Sequence, residues 1–161
     1  MKTHLSKKEI RLLEPADLEE AMALVWEVFA EFQAPEFTQE GIEEFWRFID
    51  GEYMNMMLGE GIMTFWGAFE DDLMVGVCAV RDNNHIALLF VDGEYHRRGI
   101  GSTLLKKAVA DCKYLDPDLN RVTVNSSPFA VPFYEAMGFK ALSGMVEEDG
   151  MKFMPMAVEG I

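Results

Sequence analysis

Two glycines one residue apart follow a pair of arginines in the segment His96-Arg97-Arg98-Gly99-Ile100-Gly101-Ser102. The segment lies between an apolar run that ends at Val91 and a helical pattern that starts near Ile100. The first N–H groups of a helix have no partner within it, and they point together at the positive end of the helix dipole. Glycine lacks the side chain that would keep an anion away from the main chain, and Arg97 and Arg98 add charge beside it. The chemistry to expect is the binding of a pyrophosphate. The spacing is not that of a triphosphate loop, G-x-x-x-x-G-K-[ST], and the third glycine of a dinucleotide fingerprint is missing. Taken alone, the same G-x-G also suits a plain tight turn.

The elements that would hold this segment are legible from periodicity. Ile10 to Leu13 is a short apolar run followed by Pro15, a residue suited to a first helical turn. Leu18, Ala21, Met22, Val25, Val28, Phe29 and Phe32 then recur at spacings of three and four, which predicts an amphipathic helix. Ala34-Pro35 breaks it, and Thr38 is placed to cap a second helix carrying Ile42, Phe45, Trp46 and Ile49. The Met-rich stretch Tyr53 to Leu58 is expected to continue helical, its methionines filling gaps in a core.

From Ile62 the period changes. Met63 to Phe69, Leu73 to Val80 and Ile86 to Val91 are apolar runs separated by Asp71-Asp72 and by Asp82-Asn83-Asn84, the pattern of consecutive antiparallel strands. After the glycine segment, Leu104, Leu105, Ala108, Val109 and Cys112 give a helix an apolar face. Arg121 to Val124 reads as a strand and Pro128 to Met137 as a helix stopped by Gly138, with further strands over Phe139 to Leu142 and Met151 to Ala157. The expectation is one mixed α and β domain over residues 1 to 161.

Composition removes several function classes. Fourteen Lys and Arg against 28 Asp and Glu give a formal net charge of -14, which repels phosphate backbones and anionic membrane surfaces. Nucleic acid and membrane are therefore not expected partners. The longest uninterrupted aliphatic and aromatic run, Ile86 to Val91, is far shorter than the roughly 20 residues of a spanning helix. Residues 1 to 13 lack the apolar stretch of an export signal, so a cytoplasmic location is expected. Cys78 and Cys112 stand alone, without metal or redox spacing, and no metal is expected. The charge is also uneven. Glu14 to Asp72 holds 16 acids and one base, Arg47, whereas His96 to Lys107 holds four bases and no acid.

The run from Leu88 to Gly101, with His96-Arg97-Arg98-Gly99-Ile100-Gly101 at its end, resembles the [QR]-x-x-G-x-[GA] signature of the GCN5-related N-acetyltransferase (GNAT) family. His96 stands where that signature usually has Gln or Arg. The run from Asn125 to Phe139 is similar to the family's second hallmark, an Asn-bearing strand followed by a helix ending F-Y-x-x-x-G-F. The two motifs come in the family's order with a helix and a strand between them, and the order of elements agrees over nearly the whole chain. The resemblance implies an α/β (α+β) fold with a mostly antiparallel mixed sheet of about seven strands flanked by helices.

The resemblance further implies acetyl-CoA as donor and direct transfer to a primary amine, on a small molecule or a peptide. Pyrophosphate would sit over the amides of Arg98 to Ser102, with His96 and Arg97 beside it. The pantetheine arm would pair with the backbone of Leu89, Phe90 and Val91, with an amide near Leu89 polarising the thioester carbonyl, and would also meet Asn125. Tyr134 matches the tyrosine that protonates the departing thiolate. His85 falls where some members carry a catalytic Glu, and it is the candidate base, with a water relay as the alternative. The acidic excess before Asp72 predicts a cationic acceptor. A pocket that only senses acyl-CoA, and transfer of a longer acyl chain, stay open, and the resemblance allows a homodimer.

Overall fold

The computed structural model describes residues 6–161. Met1 to Leu5, the start of the segment read for an export signal, lie outside them. A first strand β1 (Lys8–Leu12) leads through a short turn into helices α1 (Leu18–Phe32), α2 (Gln39–Phe48) and α3 (Gly51–Gly59). Strands β2 (Met63–Glu70), β3 (Leu73–Arg81) and β4 (His85–Val91) follow as a meander. Then come α4 (Ile100–Leu115), β5 (Arg121–Ser126), α5 (Val131–Ala136), β6 (Lys140–Ala141), β7 (Val146–Glu148) and β8 (Met151–Glu159).

Local chemistry explains most boundaries. The Thr38 hydroxyl accepts from the Gly41 N–H at 3.2 Å and starts α2 as expected. The Met-rich helix is separate from α2, because the Asp50 carboxylate accepts from the Tyr53 N–H at 3.4 Å and starts α3 afresh. Asp71 and Asp72 both have positive φ, as do Asp82 and Asn83, the left-handed pairs that let tight hairpins follow the twist of β2–β3 and β3–β4. The helix expected from Pro128 opens as a single 3₁₀ turn and becomes α-helical only at Val131. Pro128 and Pro132 supply no N–H to a longer ladder.

The strands lie in the order β1-β2-β3-β4-β5-β8-β6, and β7 pairs with β8. Every pairing is antiparallel except β4 with β5. The described residues thus hold eight strands where about seven were expected. The extra one, β7, carries Glu147 and Glu148 on an exposed edge and has no apolar alternation to announce it. Helices cover both faces. Buried Val25, Phe29, Met54 and Phe65 belong to a core beneath α1 to α3, and Leu104, Leu105, Ala108 and Tyr134 to a second beneath α4 and α5. Cys78 and Cys112 are buried in the second core, where burial pushes both thiols up, Cys112 to about 11. They are inert there. No helix among the described residues is long and apolar enough to cross a membrane.

One irregularity matters for function. Ala79 faces Leu88 while Val80 faces Ile86, so Ala87 is an unmatched residue and β4 is bulged there. The parallel pairing of β4 with β5 stops at the same place, after His85↔Thr123 and Ile86↔Val124. Beyond it the two strands diverge, and the sheet opens.

Candidate functional site

The opening leaves one edge of β4 unpaired. The Asp92 N–H donates to the Val75 carbonyl at 2.8 Å, which fixes the alternation of the antiparallel ladder. Counting back by two, the polar groups of Phe90 and Leu88 face β3, and those of Leu89 and Val91 face the gap. Apart from the Val91 carbonyl, which His96 engages, such a row is a template for an extended chain.

At the end of β4 the His96 ring donates from Nε2 to the Val91 carbonyl at 2.7 Å, and Phe32 lies 4.7 Å from it, ring centre to ring centre. The residue that departs from the family signature therefore fastens the loop to the strand. Arg97 and Gly99 both have positive φ, 65° and 78°, which curls the main chain into a concave turn. The first hydrogen bond of α4 runs from the Thr103 N–H to the Gly99 carbonyl at 3.0 Å. The amides of Ile100, Gly101 and Ser102 precede it and have no carbonyl of the helix to take. The two arginines separate. Arg97 faces the cavity in front of these amides. Arg98 turns away, its guanidinium 4.9 Å over the Tyr95 ring and 3.8 Å from the Glu70 carboxylate.

Two cavities flank the gap. The larger, about 740 Å³, runs from Gly99, Gly101 and Ser102 along Val91 to Phe133 and Tyr134. The smaller, about 370 Å³, lies beneath Phe45, Phe48 and Phe153 and includes His85, Asn125 and Lys152. Leu89, Phe90 and Tyr134 line both, as do Gln33 and Ala130. Molecules entering from opposite sides would meet at these residues. Asn125 lies on the smaller cavity and not on the larger one.

Tyr134 is 4% exposed, between Phe133 and Phe139 with ring centres 5.2 and 5.3 Å away. Burial, with a smaller contribution from Cys78, pushes its phenol up, so it stays protonated across the physiological range. His85 places Nδ1 2.7 Å from the Thr123 hydroxyl. Burial and the neighbouring Arg81 charge, partly opposed by Asp82, push this imidazole down to about 4, so it is neutral near pH 7.

Sequence reasoning did not pick out Gln33, Arg81, Lys152 or the phenylalanines of the smaller cavity. They come from the segment between α1 and α2, from α2, from the end of β3 and from β8, and no short motif joins positions so far apart. The acids behind the negative total lie mainly elsewhere. Glu44 is the one carboxylate among the described residues lining the smaller cavity, and it is paired with Arg47. Glu19, Glu27, Asp50 and Glu52 border a separate groove between α1 and α3.

Comparison with known proteins agrees with this geometry. Residues 33–160 match the family model described as an acetyltransferase (GNAT) domain. The chain is 28% identical over 134 residues to YafP of Escherichia coli strain K12, named as an uncharacterized N-acetyltransferase, covering 83% of this chain and 82% of that one. A GCN5-related N-acetyltransferase from Rhodopseudomonas palustris has the same fold, with a TM-score of 0.81, 20% identity and 99% of each chain covered. So has the PaiA N-acetyltransferase of Thermoplasma acidophilum, solved in complex with coenzyme A, with a TM-score of 0.77, 24% identity and 95% and 99% of the two chains covered. A strand that parts from its neighbour beside an amide-lined turn, and a family model spanning most of the chain, lead to one assignment: the protein belongs to the GNAT acetyltransferase family.

Proposed function

We propose that the protein is an N-acetyltransferase in which residues 1 to 161 act as one domain, moving the acetyl group of acetyl-CoA directly to a primary amine. The observation that carries this reading is the junction of the two cavities at Leu89, Phe90 and Tyr134. The larger cavity would take the cofactor. Its pyrophosphate would lie on the amides of Arg98 to Ser102, with Arg97 beside it, and its pantetheine arm would pair with the backbone edge of Leu89 to Val91 and reach toward Asn125. The left-handed turn at Gly99, where a side chain would meet only the Ser102 hydroxyl, at 3.9 Å, fits such an anion.

The amine nitrogen attacks the thioester carbonyl carbon, the carbon–sulfur bond breaks, and the sulfur leaves as a thiolate that needs a proton. The Leu89 amide polarises the carbonyl oxygen in that step. Tyr134 supplies the proton. A free phenol titrates at about 10 and a free thiol at about 8.5. The desolvation that raises Tyr134 acts on a thiolate in the same cavity too, so the gap between donor and acceptor stays small. His85, neutral near pH 7, takes the proton that the amine loses after attack, when that nitrogen is far more acidic than a free ammonium. The overall charge would favour a cationic acceptor, but the charges that line the smaller cavity do not.

The test is release of free CoA from acetyl-CoA across a panel of primary amines, for the parent protein and Tyr134→Phe. Amine-dependent release that falls by about 100-fold in the variant is expected for loss of a positioned acid. Undiminished release in the variant would remove Tyr134 from the mechanism.

A further inference from the structure

The smaller cavity has a chemical character of its own, and it differs from the protein's average. Its walls are apolar, with Phe37, Phe45, Phe48 and Phe153 on one side and Ile86 to Leu88 on the other. At 370 Å³ it is near the lower end of the usual range for small-molecule sites, about 300 to 1,000 Å³. That volume suits a compound the size of one substituted ring.

The charged side chains that line it are Arg81, Lys152 and Glu44. Glu44 is paired with Arg47, which lies outside the lining. The Arg81 guanidinium has Asp82 at 3.7 Å, an ion pair whose acid is largely exposed and does not line the cavity. Exposed pairs of this kind are weak and exchange readily for a better partner. Lys152 is exposed, and no salt bridge is recorded for it among the described residues. The lining therefore carries two cations against one paired acid, and Arg81 sits directly across the β3–β4 ladder from His85.

We propose that the acceptor is a primary amine carrying an apolar, ring-sized body and a carboxylate, the carboxylate held by Arg81 and Lys152 while the amine is turned toward Leu89 and Tyr134. This rests on the transferase reading above and names the substrate class of the same site. The arrangement also helps the chemistry. An ammonium brought between apolar walls loses its proton more easily than in water. The low pKa of His85, set by burial and by Arg81, reports that same environment. A polyamine, by contrast, would place further positive charge against Arg81 and Lys152.

The test compares kcat/KM for phenylalanine, phenethylamine, alanine and spermidine, with acetyl-CoA saturating, in the parent protein and in Arg81→Gln and Lys152→Gln. Phenylalanine should be the best of the four, about tenfold better than phenethylamine, which lacks the carboxylate, and than alanine, which lacks the ring. In the variants the preference for phenylalanine over phenethylamine should collapse toward unity, while KM for acetyl-CoA stays unchanged. Equal or better use of spermidine or phenethylamine by the parent protein would overturn the assignment and leave the transferase reading intact. CoA release with none of the four, and with no amine of a wider panel, would instead overturn the transferase reading and this assignment with it.

Discussion

At the scale of single residues, the roles proposed for Tyr134 and His85 each have a separable signature. Tyr134→Phe keeps the ring that packs between Phe133 and Phe139, so its folding stability should change little while kcat falls by about 100-fold. Thermal unfolding and initial rates on one preparation check both halves. For His85 the folded pKa, about 4, lies below the ordinary value of 6.5. The unfolded chain therefore binds this proton more readily than the folded one, and folding is favoured above about 6.5 and loses that contribution as the pH falls toward 4. The Tm of the parent protein should drop faster than that of His85→Gln over that window. A base with this pKa is fully available at pH 6, so kcat/KM should show no inflection near 6.5 that His85→Gln removes. Such an inflection would mean that the imidazole is charged in the resting site.

The elements position these residues through a few close approaches. The turn between β7 and β8 rests on the start of α2, where the Gly150 carbonyl accepts from both the Thr38 N–H and the Thr38 hydroxyl at 3.2 Å. A side chain at Gly41 would strike the Gly150 carbonyl, and one at Gly150 would strike Thr38 while forcing a φ of 79° on a residue with a Cβ. This clasp holds Met151, Lys152 and Phe153 over the smaller cavity. Gly41→Ala should therefore raise KM for the amine several-fold, lower stability by about 1–3 kcal/mol, and leave KM for acetyl-CoA nearly unchanged. Rate measurements with each substrate varied in turn separate the two sites. Gly99→Ala is the reciprocal case, because its strain falls on the turn beneath the proposed pyrophosphate and should raise KM for acetyl-CoA. The elements themselves were largely legible. Leu18–Phe32, the three meander strands and the helix from Ile100 follow the apolar period closely, because each buries one face or both. The bulge at Ala87 and the strand Val146–Glu148 were not, since one is a matter of register between strands and the other has no buried face.

For the molecule as a whole, the net charge of -14 does not describe the site. The amide-lined turn is locally basic, and the smaller cavity is lined by two cations against one paired acid. An acidic surface around a basic turn should make cofactor binding sensitive to salt, with KM for acetyl-CoA rising as ionic strength increases from about 0.05 to 0.5 M, where the screening length shortens severalfold. The proposed cofactor side of the site could be suggested from sequence because most of its residues are contiguous, from Leu89 to Ser102. The proposed acceptor side is assembled from α2, β3, β4, β5 and β8, which no short motif joins, and the charge sum over Glu14 to Asp72 counted acids that line another groove. The most direct test of the central claim is amine-dependent release of CoA from acetyl-CoA, followed with a thiol reagent and by mass of the acceptor. The account predicts one CoA released per acceptor gaining one acetyl group. Tight binding of acetyl-CoA with no release for any amine would contradict it and leave a protein that senses acyl-CoA without turning it over.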